Sequence, residues 1–209
     1  MMQKQKQYRQ AFEMARQEIK SQDPVEMAAH SGGSYRTRNA NQEITLTLFG
    51  DPYTISFPDI EITSSRKQTI SLVTRIVLLH YLMRAEGVEP RNDLIPYKEI
   101  PGGMMYAGVF QRRVTDPLIR SFGQVPERFL EAGLAMGGER VAFGDVSFSL
   151  NVLPYVSITF VFWRGDEEFP PSIQVLFDRS IDRYLSLEDV VVLGEMASKR
   201  LIARGLQHR

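Results

Sequence analysis

The side chains best suited to chemistry are three consecutive carboxylates, Asp166, Glu167 and Glu168, which follow Trp163 in the loop 163–171. Carboxylate oxygens are the ligands that Mg²⁺ and Ca²⁺ prefer. A carboxyl group buried against an aromatic ring can also gain a raised pKa and act as a general acid. Neighbouring side chains at a hairpin tip diverge, however, and no EF-hand pattern surrounds these acids. The pattern therefore favours a solvated tip fixed by the two following prolines, with no metal site, and leaves an acid–base role open.

A fourth carboxylate, Asp178, directly follows the predicted strand 173–177. Aspartate at such a position accepts the unpaired N–H groups at a helix start, so Asp178 is predicted to cap a short turn over 179–184. Strand ends are also common places for ligands, and a ligand role for Asp178 is the alternative.

The remaining candidates are His80, Tyr106 and the pair Gly102-Gly103. No second histidine stands at helical spacing from His80, so we interpret it as a structural residue, with ligand binding or acid–base work as the alternative. Glycine N–H groups before a helix can bind an anion. Here the Lys-Ser/Thr of a phosphate loop and the third glycine of a dinucleotide turn are missing, so a tight turn is favoured. The cofactor is therefore unknown.

The totals exclude several classes of protein. The 209 residues include no cysteine, which rules out disulfides, thiolate zinc sites and protein-ligated iron–sulfur clusters. Lys+Arg and Asp+Glu are equal at 25 each, which disfavours nucleic-acid binding. The longest aliphatic run is 76–79, far shorter than the roughly 20 residues that span a bilayer. With a polar N-terminus, the chain is predicted to be cytoplasmic, without a membrane or nucleic-acid partner.

Helical periodicity marks the elements that must position these residues. Segment 5–20 has one apolar face, whereas 67–85 is apolar nearly all round and is predicted to be a buried central helix. Ser186 and Asp189 form a capping box that opens the last helix. The other predicted helices are 25–30, capped by Asp23, then 105–122, interrupted near Asp116-Pro117, and 126–136.

Alternating apolar residues mark the strands. A hairpin is predicted from 44–48 and 53–57, joined by a turn at 50–52, after a polar loop over 34–41. Segment 155–163 is rich in β-branched and aromatic residues and is predicted to lie centrally in a sheet, with 173–177 as its partner. The other predicted strands are 94–100 and 143–150.

These elements predict an α+β fold. We expect a single domain, 1–209, with a mixed or mainly antiparallel sheet packed against the central helix (about 67–85) and the terminal helices. The amphipathic helix 1–20 can lie at its periphery.

The chain resembles the uncharacterised prokaryotic family of domain of unknown function 3786, over about residues 20 to 205. The acidic loop and the Leu-Phe-Asp piece are the specific part of the resemblance. The pieces are Leu78-Leu79-His80-Tyr81-Leu82, Ile100-Pro101-Gly102-Gly103 with Tyr106 and Phe110, 162–171, and Leu176-Phe177-Asp178-Arg179-Ser180 with Tyr184-Leu185 and Glu188-Asp189.

The resemblance implies a standalone cytoplasmic protein of anaerobic bacteria or archaea, in a family without an assigned activity. Some relatives carry a cysteine-rich segment of the kind that holds a cluster. Because this chain has no cysteine, an iron–sulfur role does not transfer to it.

Three functions follow as hypotheses. The first is a non-enzymatic ligand-binding or accessory protein in anaerobic metabolism, with a small molecule or a protein as its partner. The second is an enzyme that uses the carboxylates of the loop and Asp178, assisted by His80 or Tyr106. The third is a structural or partner-binding protein, in which a homodimer is one possibility.

Overall fold

The computed structural model describes residues 2–38, 41–66 and 69–207, without the side chains of 2–4. It confirms the α+β class: helices accompany two antiparallel sheets rather than the one sheet predicted. The chain forms two compact units. The first contains the described residues up to Glu89 with Leu153–Tyr155 and Arg183–Leu185, and the second contains the rest. The expectation of a single domain stays a prediction.

The first unit combines three helices with a four-stranded sheet of order β1-β2-β3-β4. Ile44, Leu46 and Leu48 of one central strand, and Tyr53 and Ile55 of the other, are buried, as the alternation predicted. The elements are α1 (Met2–Glu18), a 3₁₀ turn (Ile19–Ser21), α2 (Pro24–Ser31), β1 (Ser34–Arg38), β2 (Asn41–Leu48), β3 (Asp51–Phe57), β4 (Glu61–Ser64) and α3 (Leu72–Arg84).

Two predictions in this sheet are wrong. The expected polar loop 34–41 contains strand β1, which pairs with β2 from Ser34↔Thr45 to Arg38↔Asn41. Its residues are mostly exposed, so pairing rather than burial holds this edge strand, and hydrophobic alternation could not reveal it. The hairpin turn lies at Phe49-Gly50, not at 50–52. Both turn residues have positive φ, 53° and 76°, which suits the twist of a two-residue hairpin.

Helix α3 begins later than predicted. The hydroxyl of Ser71 accepts the N–H of Thr74 at 3.1 Å and caps the helix, so α3 starts at Leu72. Residues 67–68 of the predicted range lie outside the described part of the chain. The predicted Asp23 cap of α2 is confirmed, since Asp23 Oδ1 accepts the Val25 N–H at 2.8 Å.

The second unit is built on a five-stranded sheet of order β5-β9-β8-β7-β6. Its strands are β5 (Leu94–Pro96), β6 (Glu139–Arg140), β7 (Val146–Leu153), β8 (Val156–Trp163) and β9 (Ser172–Asp178). Its helices are α4 (Ala107–Phe110), α5 (Asp116–Phe122), α6 (Pro126–Ala135) and α7 (Leu187–Gln207), with 3₁₀ turns at Tyr97–Glu99, Gly103–Tyr106 and Arg179–Arg183 and a π-helical turn at Gln111–Thr115.

Strand β8 lies inside this sheet and pairs antiparallel with β9, from Ile158↔Phe177 to Trp163↔Ser172, as predicted. The cap of α7 is also confirmed, because Ser186 Oγ accepts the N–H of Asp189 at 3.1 Å. An aromatic core lies between α6 and the sheet: the ring of Phe129 is 4.9 Å from that of Phe148 and 5.9 Å from that of Phe160.

Three predicted elements of this unit have different bounds. The strand 94–100 ends at Pro96, where a 3₁₀ turn begins. The strand 143–150 begins at Val146, because the Ser147 hydroxyl bonds the Phe143 N–H and the Val141 carbonyl and holds a turn before it. The helix 105–122 begins with a 3₁₀ turn and becomes α-helical only at Ala107, and a π turn interrupts it directly before Asp116-Pro117, as predicted. Proline has no N–H to continue the α-helical ladder, which explains the break at that place.

Candidate functional site

The acidic loop forms a self-contained turn. Oδ1 of Asp166 accepts the N–H groups of Glu168 at 2.9 Å and Phe169 at 2.7 Å. Asp166 returns its own N–H to the Phe169 carbonyl at 2.9 Å. The hydrogen bonds from the Phe169 and Glu168 amides lower the pKa of Asp166. Glu167 and Glu168 are exposed, so the three acids do not converge on a common point.

Asp178 serves the cap that the sequence predicted. It is only 5% exposed, and its Oδ1 accepts the Ser180 N–H at 2.9 Å and the Ser180 hydroxyl at 2.6 Å. Burial acts to raise the pKa of Asp178, but the bonds from Ser180 outweigh it, and the pKa is lowered. The backbone amides of Arg91 and Asn92 also lower the pKa of Asp178. Oδ2 has no hydrogen-bond partner among the described residues, so these two amides act on Asp178 through their dipoles rather than through a hydrogen bond.

The pair Gly102-Gly103 forms a tight backbone turn. Gly102 has a φ of 80°, and a Cβ on Gly103 would lie 2.1 Å from the Tyr97 carbonyl oxygen, so no larger residue fits there. The Gly103 N–H already donates to the Ile100 carbonyl at 2.7 Å, so it is not available to an anion. These contacts support the tight turn that the sequence favoured.

The remaining candidates are distributed over both units. His80 is part of α3 in the first unit and is partly exposed, whereas the acidic loop and Asp178 belong to the second unit. Trp163 is 48% exposed and Tyr106 is 52% exposed. Among the described residues, no group of three or more His, Asp or Glu side chains is arranged to hold a metal ion.

A groove in the second unit brings together residues that the sequence did not single out. Three adjoining depressions of about 330, 590 and 210 Å³ share lining residues and follow β9; we call them together the β9 groove. Asp166 lines its far end, but Trp163, Glu167, Asp178 and Tyr106 do not line these depressions. On the strand side the groove is lined by Pro170, Pro171, Ser172, Ile173, Gln174 and Val175.

The strand wall of the groove is an open sheet edge. Strand β5 pairs with β9 only at Leu176, Phe177 and Asp178, and then turns away at Tyr97. The part of β9 that β5 leaves unpaired is the part that lines the groove. Ser172 and Gln174 are exposed there, whereas Ile173 and Val175 are only 7% and 3% exposed. Open edges expose main-chain N–H and C=O groups and are natural places for another chain to pair.

The helical wall contains the π turn. Gln111 and Thr115 line the groove, while the other side of the turn is fixed to α7. Arg113 Nε donates to Glu195 at 2.7 Å, and the Ser198 hydroxyl donates to the Val114 carbonyl at 3.2 Å. Burial acts to raise the pKa of Glu195, but Lys199 and Arg113 outweigh it and lower the pKa, so the ion pair persists at neutral pH. Such turns occur frequently at functional sites.

Charge and apolar surface are unevenly placed along the groove. Lys98 lines the section beside Val175, and Arg120 and Asp116 line the section beside Ser172. The 3₁₀ turn that leads into the groove residue Ala107 exposes Met104 by 68% and Met105 by 86%. Exposed apolar side chains in a cluster mark binding surfaces, and methionine adapts to varied partners.

Sequence reasoning missed this groove because it depends on where β5 ends. No local pattern shows that a three-residue strand leaves half of its neighbour uncovered. The run Met104-Met105-Tyr106 after the glycine pair was the available signal, since three large apolar residues in succession are unusual on an exposed turn.

Comparisons with known proteins connect the chain with a family. No curated protein and no solved structure matches the chain. Within the described residues, none of the helices is long and apolar enough to cross a membrane. The model of one family, described as a domain of unknown function, DUF3786, matches residues 23–200, which confirms the resemblance read from the acidic loop and the Leu-Phe-Asp piece. The chain belongs to the DUF3786 family.

Proposed function

We propose that this chain is a non-enzymatic accessory protein whose β9 groove binds an extended segment of a partner polypeptide. The observation that carries the proposal is that the groove coincides with the open edge of β9, over the residues that β5 leaves unpaired. A groove between a strand edge and a helix accommodates a length of chain, because the edge supplies main-chain bonds and the helix supplies side-chain contacts.

The surroundings of the groove suit a protein partner better than a small molecule. Small-molecule sites enclose most of their ligand. The β9 groove is instead a succession of three connected depressions beside exposed Met104 and Met105. A small molecule is the alternative occupant, and the setting in anaerobic metabolism stays an implication of the family resemblance.

The carboxylate enzyme is the weaker candidate. It requires Asp166, Glu167, Glu168 and Asp178 to meet in one pocket. Instead, Asp166 is engaged by the amides of its own loop and Asp178 by Ser180. Their lowered pKa values also favour the ionised form, which is a poor starting point for a general acid.

The test is a selection of peptides followed by a blocking substitution. Random peptides of about ten residues, enough to exceed the length of the open edge, are displayed on phage and selected on the full chain. Binding of a selected peptide is measured by fluorescence anisotropy. The variant Thr115→Trp fills the groove, while Arg112→Trp places the same ring on an exposed residue of the same π turn that does not line the groove.

We expect Thr115→Trp to weaken binding by at least about tenfold, since a filled groove loses several contacts, and Arg112→Trp to bind as the natural chain does. Circular dichroism checks that both variants fold. If Thr115→Trp is unfolded, Gln111→Trp replaces it, because Gln111 is exposed and also lines the groove. Failure to select any peptide, or equal binding by all folded variants, would contradict the proposal.

A further inference from the structure

The register of β5 and β9 shows which main-chain groups face the open edge. The N–H of Arg179 donates to the Asp93 carbonyl at 2.8 Å, on the β5 side of the strand. In an antiparallel sheet the polar groups of alternate residues point to the same side. Phe177, which pairs with Ile95, and then Val175 and Ile173 therefore direct their groups toward this edge.

Beyond the last pair, Pro96↔Leu176, the N–H of Val175 and both polar groups of Ile173 point toward this edge. The two residues are only 3% and 7% exposed, so a partner has to approach them through the groove. No hydrogen bond to these groups is found among the described residues. An added strand opposite Ser172–Val175 covers about four residues and forms roughly three main-chain hydrogen bonds, because each residue advances about 3.3 Å.

The other wall of the groove determines which side chains suit the added strand. Side chains that point toward the helices meet Phe110 and Ile119, which are apolar, at the level of Ile173. Lys98 and Arg120 lie in the sections on either side of that level and carry positive charge, while Asp116 lies beside Arg120. The far end of the groove adds one charge of each sign, Arg164 and Asp166. A strand with an apolar centre and an acidic residue toward each end is complementary to this arrangement.

From these observations we infer that the β9 groove binds its partner by strand addition: an extended peptide with alternating apolar residues and acidic ends pairs with the edge at Ile173 and Val175. The inference rests on the proposed function and specifies how the same groove recognises its partner. Strand addition reads the backbone for affinity and alternate side chains for specificity.

N-methylation of the selected peptide tests the backbone contacts directly. Two synthetic analogues carry N-methyl groups on alternate residues, one on the even and one on the odd positions. Only one of the two sets donates to the edge, so one analogue is expected to lose binding by about tenfold or more and the other to stay within about threefold. If both analogues bind like the parent peptide, strand addition is overturned while peptide binding in the groove stands. If no peptide binds at all, both proposals fail.

Matched charge reversals test the acidic ends. Arg120→Glu places a carboxylate in the groove, whereas Arg112→Glu makes the same change on an exposed residue outside it. Arg120→Glu is expected to weaken the binding of a peptide with acidic ends several-fold, and by a larger factor at low salt. Arg112→Glu is expected to leave the affinity unchanged. Equal loss in both variants would show only a general charge effect and would overturn the charge assignment.

A second copy of this chain is the competing occupant of the edge. Light scattering of the full chain, with and without the selected peptide, distinguishes the two occupants. A monomer that binds the peptide one to one supports the inference. A dimer that the peptide does not dissociate, and that Ile173→Pro converts to a monomer, would assign the edge to self-association and overturn it.

Discussion

At the scale of single residues, the carboxylates chosen from sequence stabilise turns. Asp166 closes the loop at the end of β8, and Asp178 caps the turn that follows β9. Both have lowered pKa values because backbone and hydroxyl donors favour the charged form. The conspicuous acidic loop is therefore best understood as a family signature with a structural task, next to a groove that it borders at Asp166.

The variant Asp178→Asn is expected to lower the free energy of unfolding at pH 7 by about 1 kcal/mol, because it weakens a charged cap. The pKa of Asp178 is depressed in the folded chain, so its contribution is present above the unfolded value, near 4, and is lost as the pH falls through the folded value. Urea unfolding at pH 7 and at pH 3 measures both effects.

The control for this change is Glu188→Gln, which neutralises an exposed carboxylate in the first turn of α7. The difference in the free energy of unfolding between the natural chain and Asp178→Asn should be smaller at pH 3 than at pH 7. A difference that is the same at both values would show that the charge of Asp178 contributes nothing to stability.

At the scale of elements, glycines allow close packing at two places in the second unit. The π turn Gln111–Thr115 is fixed to α7, where a Cβ on Gly194 would lie 3.1 Å from a Val114 methyl carbon. On α6, Gly133 lies against the ring of Phe148, and an added Cβ there would come within 2.5 Å of it. At both places the absence of a side chain allows the neighbouring elements to approach closely.

The paired variants Gly133→Ala and Gly108→Ala test this packing. Gly133→Ala is expected to destabilise the chain by about 1–3 kcal/mol, because the rigid ring of Phe148 must move. Gly108 lies in α4, is exposed, and has only the end of the Arg112 side chain nearby, at 3.7 Å. Gly108→Ala should therefore stabilise by about 0.5–1 kcal/mol through helix propensity. Thermal unfolding gives the sign of each, and a neutral Gly133→Ala would contradict the packing described.

Local sequence patterns predicted the helices and strands that bury one apolar face. They missed the features that depend on pairing with another segment of the chain. The buried strand β8, its partner β9, and the caps at Asp23, Asp178 and Ser186 follow from residue type and spacing. Strand β1 was missed because it is polar and is held by pairing. The groove was missed because it depends on β5 ending at Pro96, which no local pattern indicates. The acids of the loop stand out by residue type, but in the structure Asp166 stabilises a turn.

At the scale of the whole molecule, the first unit depends on short segments that come from later in the chain. The Tyr81 hydroxyl donates to the Ser31 carbonyl at 2.9 Å and accepts the Tyr155 N–H at 3.2 Å. The ring of Tyr184 stacks on that of Tyr81 at 5.8 Å. Burial raises the pKa of Tyr184 to about 12, so its hydroxyl stays protonated and donates to the Val88 carbonyl.

A fragment of residues 1–89 is therefore expected not to fold on its own. It lacks Pro154, Tyr155 and Tyr184, and Tyr81, fully buried in the complete chain, would be uncovered. Near-ultraviolet circular dichroism should show no fixed aromatic environment in the fragment.

Within the full chain, the same dependence gives a graded test. Tyr184→Ala should lower the free energy of unfolding by about 3–5 kcal/mol, as expected for a buried aromatic residue. Tyr106 is exposed, so Tyr106→Ala should lower it much less. A well-folded fragment 1–89, or a mild Tyr184→Ala, would show that the later segments are dispensable.

The most direct test of the central claim, that the open edge of β9 binds an extended peptide, is amide hydrogen exchange at Ile173 and Val175, followed by nuclear magnetic resonance. In the free chain these two N–H groups should exchange much faster than that of Phe177, which β5 covers. On addition of a selected peptide, both should become protected, and the N–H of Gln174, which faces β8, should change little. Unchanged exchange at Ile173 and Val175 with the peptide bound would contradict the account.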